Sequence, residues 1–168
     1  MIREATIGDA EQIGVLHATS WQSAYLNLMS AAKLGPGLVD ERIAIWRERL
    51  SEPSRTTWIA RDGAGFISIV IDTDQGSLID NLHVHPTRKS VGIGRTLMRC
   101  AGERLQRERP DACVYLWVLD GNFPAARFYE SLDARHQFAR RDAGLVGETL
   151  IEHQYRWYSP LALLAALA

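Results

Sequence analysis

Apolar residues recur along this chain with two periods, and the switches between them predict its elements. Ile2 to Ala5 reads as a short strand. Asp9 and Gln12 have capping-box spacing, and Ile13, Leu16, Ser20 and Trp21 then follow one helical face. Gly35-Pro36-Gly37 breaks the chain within a loop from Leu26 to Val39. Ile43, Trp46 and Leu50 predict a second helix that stops near Pro53. Thr56 to Arg61 and Gly65 to Thr73 read as strands joined at Asp62-Gly63, a strong hairpin dipeptide. Asp74-Gln75-Gly76 turns the chain into a strand over Ser77 to Val84.

A helix from Gly92 to Arg109 carries Ile93, Leu97, Ala101 and Leu105 on one face and ends at Pro110. Cys113 to Val118 is a short apolar run, read as a buried strand. Pro124 to Leu132 follows as a short helix, with proline in its first turn. Arg135 to Arg140 and Glu148 to Tyr158 are expected to be the last strands, with Gly144 and Gly147 in the turn between them. The apolar tail Leu161 to Ala168 is too short to span a bilayer; it is expected to form a short helix packed on the domain or on a second copy in a homodimer. Meandering strands thus flank a central strand–helix–strand unit, which predicts a mixed α/β fold of three layers. No repeat or linker divides it, so residues 1–168 are expected to form a single domain.

Composition narrows the function classes. A chain of 168 residues with 46% apolar and 23% charged residues can hold one core. A net charge of −1 gives no electrostatic footprint for nucleic acid or an anionic membrane. Two cysteines, Cys100 and Cys113, make neither a disulfide framework nor a metal spacing, and they fit a reducing compartment. Met-Ile-Arg-Glu-Ala-Thr is not the start of a signal peptide, so the expectation is cytoplasmic.

The most informative stretch runs from Arg88 to Met98, where Gly92 and Gly94 open the amphipathic helix directly after an apolar strand. The first N–H groups of a helix lack partners inside it, and the dipole adds roughly half a positive charge there. Glycine lets the backbone approach a pyrophosphate because no Cβ intervenes. The loop is neither a dinucleotide fingerprint, since Leu97 stands where a third glycine belongs, nor a P-loop, since no Gly-Lys-Ser/Thr run exists.

Two segments read together, Asp80 to Pro86 with the glycine loop and Val118 to Leu132, resemble the GNAT superfamily of acetyl-CoA-dependent N-acetyltransferases. Ile2-Arg3-Glu4-Ala5-Thr6 also resembles the start of that family. Lys89 stands where the family signature has Gln or Arg, and Ser90 where many members carry glycine. Leu132-Asp133-Ala134 replaces a usual Leu-Gly-Phe; aspartate tolerates the left-handed conformation that the glycine would adopt.

The resemblance implies a three-layer α/β/α fold around a mixed, mostly antiparallel sheet, with acetyl-CoA as co-substrate. The strand Leu82 to Val84 would splay from the strand beginning at Cys113, and the pantetheine arm would pair in the gap. Lys89, Ser90, Val91, Gly92, Ile93, Gly94 and Arg95 would hold the pyrophosphate. The Val84 amide would polarise the thioester carbonyl, Asn122 would bond the cofactor arm, and Tyr129 would protonate the departing thiolate as general acid. Trp21 and Tyr25 fall where the family covers its acceptor. The implied reaction is direct attack by a primary amine of a small molecule or peptide; the alternative is a non-catalytic acyl-CoA-binding or sensor domain.

A charged amine must lose a proton before attack, and Asp80 and His83 are the base candidates on the central strand. Strict alternation puts Asp80, Leu82 and Val84 on one face and His83 and His85 on the other, a parity that a bulge would change. Glu148 and His153 are further candidates, and a water relay needs no single base. His83, His85 and His153 do not supply a third metal ligand at convincing spacing, so no metal is expected.

Overall fold

A computed structural model describes residues 1–142 and 149–168 of the chain. The elements follow in the order β1 (Ile2–Glu4), α1 (Ala10–Ala24), α2 (Leu38–Arg49), β2 (Arg55–Ala60), β3 (Gly65–Thr73), β4 (Gly76–Val84), α3 (Ile93–Glu108), β5 (Val114–Leu119), α4 (Phe123–Glu130), β6 (Arg135–Asp142), β7 (Leu150–Trp157) and α5 (Pro160–Ala166). The expected turn residues Gly144 and Gly147 and the base candidate Glu148 lie outside the described residues. Among the described residues seven strands form one sheet in the order β1-β2-β3-β4-β5-β7-β6. Every neighbouring pair is antiparallel except β4 and β5, which α3 connects as a parallel crossover.

Helices cover both faces, and the period of β3 explains why. Phe66 joins Ile13, Trp46 and Ile59 in a core beneath α1 and α2. Ile67 and Ile69 point the other way, into a core with Leu97, Met98, Ala101 and Leu105 of α3. The apolar tail belongs to this second core. Leu163 and Leu167 are buried there, so the tail packs on its own domain. Gly14 lets α1 and α2 cross closely: a Cβ there would stand 2.7 Å from the Ile43 backbone.

The capping box lies one turn earlier than the sequence spacing suggests. Thr6 rather than Asp9 is the cap, and the Asp9 carboxylate reaches back to the Thr6 N–H at 2.8 Å. Arg3 donates to both Asp9 oxygens, at 2.6 and 2.9 Å. Gln12 takes no part in the cap, because the chain enters α1 through a short 3-10 turn at Ile7–Asp9. The Arg3 hydrogen bonds hold the Asp9 carboxyl well below the usual carboxylate range. Its folded pKa is therefore lower than its unfolded value of ~3.9, so its contribution is complete above that pH and is lost as pH falls. Asp9→Asn is expected to lower stability at neutral pH and to flatten the acid side of the stability–pH curve, as measured by urea unfolding between neutrality and pH ~3.

Candidate functional site

Strands β4 and β5 pair only at Ser77↔Val114 and Leu78↔Tyr115 and then separate. Beyond Leu78 they form the two sides of a cleft of about 810 Å³. A register shift in β4 places the separation. Ser68 pairs with Asn81 but Ile69 pairs with Ile79, so Asp80 is the extra residue of a bulge. Strict alternation therefore fails here, and Asp80, Leu82, His83 and Val84 all line the cleft. The His85 N–H donates to Ala64 O, immediately before β3. Backbone groups along an antiparallel strand alternate in direction, so those of Val84 and Leu82 face the open β5 side.

The glycine loop closes one end of the cleft. Gly92 caps α3 with φ +87° and ψ −5°, the left-handed region. A Cβ built there meets nothing within 4 Å. Intrahelical bonding begins with Thr96 N–H to Gly92 O, so the amides before it are the helix's unpartnered donors. Ser90 also has a positive φ, +64°, in keeping with the glycine that it replaces. Arg88, Lys89, Ser90, Gly92, Ile93, Gly94 and Arg95 line this end. Val91 does not; its side chain is 67% exposed. Donors, cations and an open approach suit a phosphate-bearing ligand.

On the opposite wall, Asn122 caps α4 by accepting from the Ala125 N–H at 3.3 Å. Tyr129, one helical side further on, is buried beside it in the cleft. Burial pushes the Tyr129 phenol above its ordinary range, and Tyr25 adds to the shift. Burial also pushes Tyr25 up to about 12, and a hydrogen bond to Asn122 acts the other way. Asn122, Tyr25 and Tyr129 thus form one polar cluster in an otherwise apolar wall. Asp133 has φ +60°, the left-handed turn that its sequence position predicts.

The base candidates separate into three environments. Asp80 Oδ2 accepts from Arg55 at 2.6 Å and Asn81 at 2.7 Å and forms an ion pair with Arg49 at 3.1 Å, so it anchors the bulge to α2 and β2. His83 Nδ1 is 2.9 Å from Ser20 Oγ. Burial lowers the His83 pKa to about 3, which leaves the ring neutral at neutral pH. His153 lies away from the cleft lining; it bridges Asp120 and His136 at 3.0 Å each. His85 accepts from the Thr87 N–H and faces a separate shallow groove. The three histidines do not converge, and among the described residues no three or more His, Cys, Asp or Glu side chains are grouped so as to hold a metal ion.

Several cleft residues lie outside the motifs read from the sequence. His17, Arg42, Arg49, Trp117, Arg140 and Glu152 all line it. Glu152 is 6% exposed and pairs with Arg140 at 3.0 Å, while Arg140 lies over the Trp117 ring at 3.7 Å. His17 could have been found, because it shares the helical face of Ile13, Ser20 and Trp21. Trp21 and Tyr25 complete this end, their ring centroids 5.6 Å apart.

Residues 21–134 match the acetyltransferase (GNAT) family. No curated protein matches the chain in sequence. Among solved structures, a GCN5-related N-acetyltransferase from Rhodopseudomonas palustris superposes with a TM-score of 0.73 at 21% identity, over 94% of each chain. The PaiA N-acetyltransferase of Thermoplasma acidophilum in complex with coenzyme A gives 0.67 at 18% identity, over 90% of this chain and 96% of that one. NAA60 of Arabidopsis thaliana in complex with acetyl-CoA gives 0.67 at 16% identity, over 94% and 97%.

Proposed function

We propose that this chain, which belongs to the acetyltransferase (GNAT) family, transfers an acetyl group from acetyl-CoA to the primary amine of a small molecule or peptide by direct attack. The observation that carries this reading is the gap between β4 and β5, with the bare N-terminus of α3 at one end and a polar, aromatic chamber at the other. The coenzyme A and acetyl-CoA in the PaiA and NAA60 structures support the same co-substrate. Residues 1–168 are read as one such domain, and two unpaired cysteines support a cytoplasmic location. Among the described residues no helix is long and apolar enough to cross a membrane.

Acetyl-CoA supplies an activated acetyl thioester. The residues of this chain bind and orient it. Leu82 and Val84 offer backbone groups to the pantetheine arm as an added strand would, and the Val84 N–H faces the carbonyl oxygen where negative charge develops. The amides of Ile93, Gly94 and Arg95, with Lys89 and Ser90, hold the pyrophosphate. Val91 contributes backbone alone. Asn122 orients the arm, and the Tyr129 hydroxyl donates to the sulfur as it becomes a thiolate.

Asp80 acts best as the anchor of the bulge, because one oxygen is already engaged by two donors and an ion pair. His83 is neutral but weakly basic, so the amine sheds its proton through water held near His83 and Ser20. This has a pH consequence. No group in this path titrates near 6.5, so log(kcat/KM) should rise steadily toward the acceptor's own pKa of ~10. A plateau beginning near pH 6.5 would point instead to a histidine base.

Calorimetry with excess chelator is expected to show acetyl-CoA binding on the micromolar scale, and coenzyme A release with a panel of amines is expected to show turnover. Absence of binding would remove the co-substrate assignment. Binding with no turnover across the panel would favour the non-catalytic acyl-CoA-binding alternative.

A further inference from the structure

Two buried hydrogen-bond donors at the α1–α2 end of the cleft have no partner among the described residues, and both ask for an acceptor. The first is Arg42. Its residue is 6% exposed, its Nε has no hydrogen-bond partner, and its guanidinium carbon lies 4.6 Å from the centroid of the Trp21 ring. Its ion pair is with Glu41, the preceding residue, whose side chain is 49% exposed. The second is His17, which is 1% exposed. Trp46 Nε1 donates to His17 Nδ1 at 2.9 Å. An indole N–H can only donate, so Nδ1 accepts, and the neutral ring carries its proton on Nε2. That Nε2 is also buried and without a partner. A buried donor left unsatisfied is costly, and because both residues line the same cleft, a group that arrives with the ligand can supply the missing acceptor.

Arg88, Lys89 and Arg95 line the glycine-loop end, and the remaining two cations of the cleft do not compete for the same ligand. Arg49 is matched by Asp80 and Arg140 by Glu152. The His17 and His83 ring centroids are 4.4 Å apart, and Val84 follows His83 directly. A group bound by Arg42 and His17 therefore sits close to the position where the acceptor amine must meet the thioester.

We infer that the acceptor is a small aminocarboxylate, an amino acid or a close relative, whose carboxylate is bound by Arg42 and His17 while its amine faces Val84. This rests on the acyl-transfer reading above. A guanidinium fork and an imidazole N–H match a carboxylate in shape and donor count. The apolar remainder of the acceptor is accommodated by Trp21, Tyr25 and Met29, which line the same end.

The test uses the whole chain and matched acceptors: each common α-amino acid, its primary amide and its decarboxylated amine, with coenzyme A release as the readout. Binding of the corresponding N-acetyl acids and N-acetyl amides to the coenzyme A complex is measured in parallel by calorimetry. At least one acid is expected to be used with kcat/KM more than ~10-fold above its amide and amine, the usual scale for a hydrogen bond to a charged group. Arg42→Gln should abolish that preference mainly through KM, and Arg42→Lys should restore part of it. Acetyl-CoA affinity should be unchanged in both, which also reports that the variants fold. Amides or simple amines used as well as the acids would overturn the inference. Carboxylate-selective binding of N-acetyl acids without turnover would sink the transfer reading and leave the carboxylate site standing. Binding with no such selectivity, with or without turnover, would sink the site.

Discussion

Gly92→Asp is expected to weaken acetyl-CoA binding by about a hundredfold or more while leaving the fold nearly intact. The reason is competition for one anion site. Gly92 caps α3 in the left-handed region, and no atom lies within 4 Å of a Cβ placed there. Aspartate is among the few residues that tolerate this conformation, so the cost to stability should stay near 1 kcal/mol. Its carboxylate would sit against the free amides and positive end of the helix, where an anion is favoured. It would occupy the pyrophosphate position and repel what remained of the ligand's charge. Losing two charge-assisted hydrogen bonds at ~1.5 kcal/mol each gives the hundredfold figure. Calorimetry with coenzyme A, beside a urea melt of the same sample, checks both halves. Unchanged affinity in a folded variant would mean that the pyrophosphate lies elsewhere.

The second large effect is on turnover. Tyr129→Phe removes one hydroxyl and keeps a ring that packs against Trp157 and Phe128, with centroids 6.3 and 5.3 Å away. Burial keeps the phenol protonated but also makes it a weaker acid. Its service is therefore greatest late in the reaction, when full negative charge has built up on the sulfur. Loss of that donor should lower kcat by about ten- to a thousandfold, around the usual scale of general acid catalysis. Acetyl-CoA affinity should change little, because the pyrophosphate loop is untouched. Thermal stability should shift by ~1 kcal/mol, the net worth of one hydrogen bond. Full turnover at saturating substrate would return Tyr129 to the role of a core aromatic and leave protonation of the thiolate to solvent.

Most of the scaffold was legible because its causes are local. The periods of Ile67 and Ile69 against Leu97, Ala101 and Leu105 specify which faces meet. The glycine at position 92 and the aspartate at 133 mark left-handed turns by their chemistry alone, and both have positive φ. The candidate pyrophosphate loop is a continuous stretch of chain, so its residues could be named from the resemblance of that one segment to the family.

The acceptor chamber has a different origin. Ser20, His17 and Arg42 come from α1 and α2, His83 from β4, and Glu152 and Arg140 from the far end of the chain. Asp80 read as a base candidate because a carboxylate on the central strand invites that role. Its engagement by Arg49 and Arg55 depends on α2 and β2 arriving beside β4. The bulge that brings Asp80 and His83 into one cleft depends on the register of β3 against β4. Propensity and periodicity act over a few residues, so the sequence by itself determined the order of elements, their buried faces and the turn that exposes the α3 amides. Ion pairs, bulge register and unsatisfied donors arise between residues far apart in the chain, and only the packed tertiary structure decided which of them share the acceptor end.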